Sequence, residues 1–111
     1  MPLDAELEAF NPFIPLNADD SGIPVALLRY KLRNRGEKTL TVSVAGSLYN
    51  ASGFDRIEMW GDFKNRGHVV NIYRQGNGFS GIYFDNDDLD RKDPLYGTLA
   101  LTGRGGEVSY K

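Results

Sequence analysis

The sequence predicts an all-β fold, an antiparallel β-sandwich. Several segments alternate apolar and polar residues with the period of a half-buried strand, and none holds a helical period for long. Thirteen glycines and five prolines in 111 residues punctuate the chain into short elements. About seven strands with no helix of any length match the layered architecture of two packed antiparallel sheets. A chain of this length is expected to form one domain.

Leu3 to Phe10 alternates strictly. Its Ala, Leu and Glu content favours helix, but Asn11-Pro12 ends the segment before a helix could gain length, so it reads as a strand. Residues 11–24 form a loop, with three prolines and the turn-prone run Asn17-Ala18-Asp19-Asp20-Ser21-Gly22. In residues 25–33, Ala26, Leu28, Tyr30 and Leu32 share one face and Arg29, Lys31 and Arg33 the other. After the polar turn at residues 34–38, Leu40, Val42, Val44 and Leu48 alternate with Thr39, Thr41, Ser43 and Ser47. Two period-2 segments joined by a short turn predict a hairpin between residues 25–33 and 39–48.

Residues 50–66 show no clear period and carry Phe54, Ile57, Met59, Trp60 and Phe63 among glycines and charges. A long irregular stretch in a small domain marks a packing or functional segment. Residues 68–74 and 79–84 flank Asn77-Gly78, the residue pair of a tight two-residue hairpin turn. A charged loop runs from 85 to 94, a strand from 96 to 102, a turn from 103 to 106, and a further alternating strand begins at Glu107. The expected core is Ala26, Leu28, Tyr30, Leu32, Leu40, Val42, Val44, Val70, Ile72, Ile82, Phe84, Leu99 and Leu101.

Composition narrows the function classes. A net charge of −2 argues against nucleic-acid binding, which needs a basic face to displace counterions. Zero cysteines remove a disulfide framework, a zinc knuckle and a thiol nucleophile. No apolar run approaches the ~20 residues of a transmembrane helix. Asp4, Glu6 and Glu8 interrupt any leader peptide, a pattern compatible with a cytoplasmic protein. Charge is unevenly placed: residues 1–28 carry five acids and no base, and residues 29–38 carry five bases and one acid. Asn50-Ala51-Ser52 fits a glycosylation pattern, a triplet common by chance.

Phe10-Asn11-Pro12-Phe13-Ile14-Pro15-Leu16-Asn17, followed by Asp20-Ser21-Gly22-Ile23-Pro24-Val25-Ala26 and by Asn34, resembles the N-terminal β-domain of the bile-acid β-glucosidase (non-lysosomal glucosylceramidase) group, glycoside hydrolase family 116. Gly81 with Phe84, and the run from Asp93 to Leu101, resemble that family's later strands, so the similarity spans roughly residues 6–103. Leu48-Tyr49-Asn50 stands where the family often has Trp before Asn. The resemblance implies a non-catalytic slice of a larger N-terminal accessory domain. Its partner would be an (α/α)6 catalytic domain of the same parent chain, which holds an Asp acid/base and a Glu nucleophile. No cofactor is implied. The alternating segment that stops at Lys111 and the sheet edges of such a slice make self-association an expectation.

Several constellations bear on a site. Arg29, Lys31 and Arg33 form either a solvated face or, as the resemblance suggests, a stripe that meets acidic residues of the catalytic domain. Trp60, Phe63 and Phe54 either fill one end of the fold or reach out to a partner or ligand. Asp55 with Glu58 beside Met59 and Trp60 is the most tempting carboxylate pair for sugar chemistry, yet among fifteen acids such pairs arise easily. Asp85, Asp87, Asp88 and Asp90 offer calcium-type oxygen ligands, although Asp90 and Tyr96 break the helix-loop-helix calcium pattern and Arg91 and Lys92 neutralise part of the charge. His68, the single histidine, reads as a rim residue. No nucleophile–base pair stands out. The alternatives to an accessory domain are a free-standing carbohydrate- or protein-binding sandwich with Trp60 as its platform, and a small hydrolase.

Overall fold

The computed structural model describes residues 2–55 and 64–110. Their regular structure is almost wholly β, in antiparallel pairs, with one helical turn of four residues. No helix is long and apolar enough to cross a membrane. The chain divides into two compact units, Met1–Ser43 and Val44–Lys111.

The first unit is a two-stranded ribbon. Strand β1, Leu3–Phe10, pairs antiparallel with β2, Leu27–Asn34, in a register running from Leu3 opposite Asn34 to Phe10 opposite Leu27. The loop between them holds one helical turn, α1, Ala18–Ser21. Asn17 caps it, its Oδ1 accepting from the Asp20 amide at 3.0 Å, with Asp19 and Asp20 in the first turn where acids are favoured. The Ser21 hydroxyl donates to the Ile14 carbonyl and accepts from the Ile14 amide, both at 2.9 Å, so the proline-rich arm folds back on itself.

The hairpin expected between residues 25–33 and 39–48 is not formed. The basic strand pairs with β1 instead, and residues 39–50 carry no strand pairing. Alternation specifies an extended backbone but not its partner; charge does that here. In the observed register Asp4, Glu6 and Glu8 lie opposite Arg33, Lys31 and Arg29, whereas residues 39–48 offer only hydroxyls to those cations. The acid-then-base blocks along the sequence contained this signal.

The second unit holds a short ribbon and a three-stranded sheet. β3, Phe54–Asp55, pairs with β4, Lys64–Asn65. β5 (Val69–Gly76), β6 (Phe79–Asn86) and β7 (Leu99–Arg104) form a meander in that order. The turn at Asn77-Gly78 is as expected, with φ of 50° and 78°. β7 starts three residues later than Tyr96, because the side chain and carbonyl of Asp93 turn the chain by accepting from the Leu95 and Tyr96 amides, both at 2.9 Å. Residues 107–110 form no strand; Tyr110 instead stacks on Tyr73, with centroids 4.4 Å apart.

The expected core is the largest correction. Among the described residues Phe84 is the one buried large apolar side chain, 3% exposed. Val70, Ile82, Leu99 and Leu101 are half-buried, while Leu28, Tyr30, Leu32, Leu40, Val42, Val44 and Ile72 are exposed, as is Ala26. Their alternation is real, but the layer that would cover these faces is not supplied by the described residues.

Candidate functional site

Three of the buried side chains are polar. Asn50, Ser52 and Asn86 are 8%, 1% and 2% exposed, and all three sit where loops meet the edge of the β5–β6–β7 sheet. Asn50 Nδ2 donates to the Val70 carbonyl at 3.2 Å, to Asn71 Oδ1 at 3.0 Å and to the Asp85 carbonyl at 3.3 Å, while its Oδ1 accepts from the Ser52 amide at 3.1 Å. Asn65 Nδ2 donates to the carbonyls of Asn50 and Ser52, both at 2.8 Å. Asn86 Nδ2 donates to the Arg66 carbonyl at 2.7 Å, and its Oδ1 accepts from the amides of Asp88 at 3.3 Å and Leu89 at 3.1 Å. Three asparagines thus satisfy backbone groups that the short strands leave unpaired, and the burial is affordable only because those bonds are made.

Gly53 completes the junction. Its φ is +72°, its amide donates to the Leu95 carbonyl at 2.9 Å and its carbonyl accepts from the Arg66 amide at 2.7 Å. Arg66 also lies 3.7 Å from an Asp93 carboxylate oxygen. The Tyr96 hydroxyl donates to Asp85 Oδ1 at 3.1 Å, and that bond to a carboxylate, with desolvation behind it, raises the Tyr96 pKa above its ordinary value. The junction therefore clamps the base of the β3–β4 ribbon to the sheet and to the loop at residues 85–96.

The residues singled out in the sequence fall into three places. Trp60, Phe63, Ile57, Glu58 and Met59 lie in residues 56–63, the connection from β3 to β4, outside the described residues. Phe54 stands at the start of that connection, half-buried, its ring edge-on to Tyr49 at 6.2 Å and 84°, while the Tyr49 hydroxyl bonds Asn65 Oδ1. The clamp thus fixes both ends of the segment that carries the aromatic candidates.

Arg29, Lys31 and Arg33 lie along β2 on the same face as the acids of β1. Lys31 Nζ is 2.6 Å from Glu8 Oε1 and 3.6 Å from Glu6, and Arg29 is 3.2 Å from Glu8. Lys31's hydrogen bond is the main reason the Glu8 carboxyl lies below the usual carboxylate range; the charges of Lys31 and Arg29 add to it. Arg33 lies opposite Asp4 in the register, and Asp4 also meets Arg35. The stripe has acidic neighbours within its own ribbon.

The four aspartates of the charged loop do not converge. Asp85 serves Tyr96 and the Asn86 amide, Asp87 Oδ1 lies 2.8 Å from His68 Nδ1, and Asp90 accepts from the Lys92 amide at 2.8 Å. Among the described residues no three acidic or histidine side chains gather as metal ligands. His68 is exposed at the rim. A shallow depression of about 250 Å³ beside the β5–β6 turn is lined by Arg74, Gln75, Phe79, Ser80 and Thr102 together with Gly76 and Asn77, with no carboxylate or histidine for acid–base work.

Sequence reasoning missed the asparagines. In the sequence Asn50-Ala51-Ser52 reads as a sugar-acceptor pattern, yet it is a side-chain-capped turn, and Asn86 sits among aspartates that suggest cations instead. No residue pattern marks them, because they act on backbone groups distant in sequence.

A protein-family model described as beta-glucosidase 2, glycosyl-hydrolase family 116 N-term, matches residues 1–111. No curated protein and no solved structure matches.

Proposed function

From the premise that this chain belongs to the N-terminal domain family of the glycosyl-hydrolase family 116 β-glucosidases, we propose that it is a non-catalytic accessory domain whose apolar strand faces are covered by the helical catalytic domain of its parent. The parent cleaves β-linked glucose with the two-carboxylate retaining chemistry the family resemblance implies. This chain supplies support and orientation, not reacting groups.

The observation that carries this reading is uncovered apolar surface. Among the described residues Phe13, Val44, Leu48 and Tyr49 are each 45% or more exposed. The ribbon makes the point locally. On the face opposite its charges, Ala5, Leu7 and Ala9 lie across from Leu32, Tyr30 and Leu28, with Leu7 52% and Leu28 58% exposed. A two-stranded ribbon is marginally stable without a layer on its apolar face. The apolar face is the surface that meets the catalytic domain in this reading, because the described residues supply no layer that covers it.

The test separates accessory domain, enzyme and sugar-binding module. The isolated chain is expected to release no product from an aryl β-glucoside, and Trp60 fluorescence is expected to stay constant during titration with glucosides or glucans. Turnover by the chain alone contradicts the proposal in favour of a hydrolase, and a saturable fluorescence change contradicts it in favour of a binding module.

A further inference from the structure

The ribbon of the first unit has two open edges: among the described residues β1 pairs only with β2, and β2 only with β1. Each open strand edge offers a row of backbone donors and acceptors that another strand can use. The two edges differ in sign. β1 carries Asp4, Glu6 and Glu8 on one face, and β2 carries Arg29, Lys31 and Arg33 on the same face of the ribbon.

That asymmetry selects among the ways two copies could meet. Joining β1 to β1 sets carboxylates beside carboxylates, and joining β2 to β2 sets cations beside cations; like charges across a strand pair are destabilising. Joining β1 of one copy to β2 of the next repeats the acid–base pattern already present inside the chain, where Lys31 lies 3.6 Å from Glu6 and 2.6 Å from Glu8. We propose that this chain self-associates head to tail, the acidic β1 edge of one copy taking the basic β2 edge of a second copy. Because the two surfaces are different, the contact does not close on itself as a two-fold dimer does, and a third copy adds to the free edge of the second. The association is held by charge and backbone pairing, not by the apolar face, which stays free for another partner.

Sedimentation velocity across a concentration series tests this. Exposed charges act over about 30 Å at 0.01 M salt but about 3 Å at 1 M, so the average mass is expected to climb with concentration at low salt and to return to monomer at high salt. Glu6→Gln with Lys31→Gln removes one facing pair without changing net charge and is expected to weaken low-salt association at least fivefold; an unchanged circular dichroism spectrum confirms that the ribbon persists. Monomer at every salt concentration overturns the proposal. So does association that strengthens with salt, which points to the apolar faces, or association that the neutralised pair leaves unchanged.

Discussion

Replacing Gly53 with alanine is expected to lower the stability of the second unit by about 3–5 kcal/mol, the joint cost of a left-handed backbone and of overpacking. At φ +72° an added Cβ would sit 2.3 Å from the Arg66 carbonyl oxygen, 2.8 Å from Asn86 Nδ2 and 2.9 Å from Leu89 Cδ1. The nearest of these is backbone and cannot rotate away. Moving it breaks the bond between the Gly53 carbonyl and the Arg66 amide, and the one from Asn86 to the Arg66 carbonyl. Gly78→Ala provides the comparison: φ is +78° there, but nothing lies within 4 Å of the added Cβ. That variant bears only the backbone penalty, about 1–2 kcal/mol. Urea unfolding of both variants should show Gly53→Ala as clearly the weaker, and equal midpoints would contradict the clamp described at the β3–β4 base.

Asn86→Ala is expected to cost about 2–4 kcal/mol, because it strands one carbonyl and two amides in a poorly solvated junction. Asn86→Asp divides the effect. It keeps an acceptor for the amides of Asp88 and Leu89 but turns a carboxylate toward the Arg66 carbonyl. Once protonated, that carboxyl can donate to the carbonyl, and at a position 2% exposed burial and the facing carbonyl outweigh the two amides that favour the charge, so the folded state binds the proton more tightly than the unfolded chain does. Its pKa in the folded state is therefore raised, and the deficit relative to the unaltered protein should shrink as pH falls through that value. Thermal unfolding of the two variants between pH 7 and 4 measures it. Equal deficits at all pH values would mean that Asn86 merely fills space.

Local pattern made much of the fold legible. Strict alternation from Leu3 to Phe10 located β1 to the residue, against the helical propensity of its side chains, because Pro12 denied a helix any length. Asn77-Gly78 fixed the β5–β6 turn, since few other pairs accept two positive φ values in succession. Partner choice was harder. Leu40, Val42 and Val44 alternate as cleanly as Leu28, Tyr30 and Leu32, but alternation says that a face is apolar and not what lies on it, so the pairing of β2 with residues 39–48 and the core built from both failed together. The charge blocks held the missing information, in the acids at 4, 6 and 8 and the bases at 29, 31 and 33. The asparagine junction was illegible for another reason. Asn50, Asn65 and Asn86 are far apart in sequence and act on backbone groups, which no residue pattern displays. The family, by contrast, was readable from the block around Phe10 to Ala26, and the match over residues 1–111 agrees with it.

In the proposed function the apolar strand faces of this chain are covered by the catalytic domain of its parent. Isothermal titration of the chain with the separately produced catalytic domain of its parent tests that most directly. A saturable one-to-one complex is expected, weakened at least tenfold by Leu28→Glu with Leu32→Glu on the apolar face and little changed by Arg29→Gln on the charged one. Absence of a complex, or one indifferent to Leu28 and Leu32 but lost with Arg29, would contradict it.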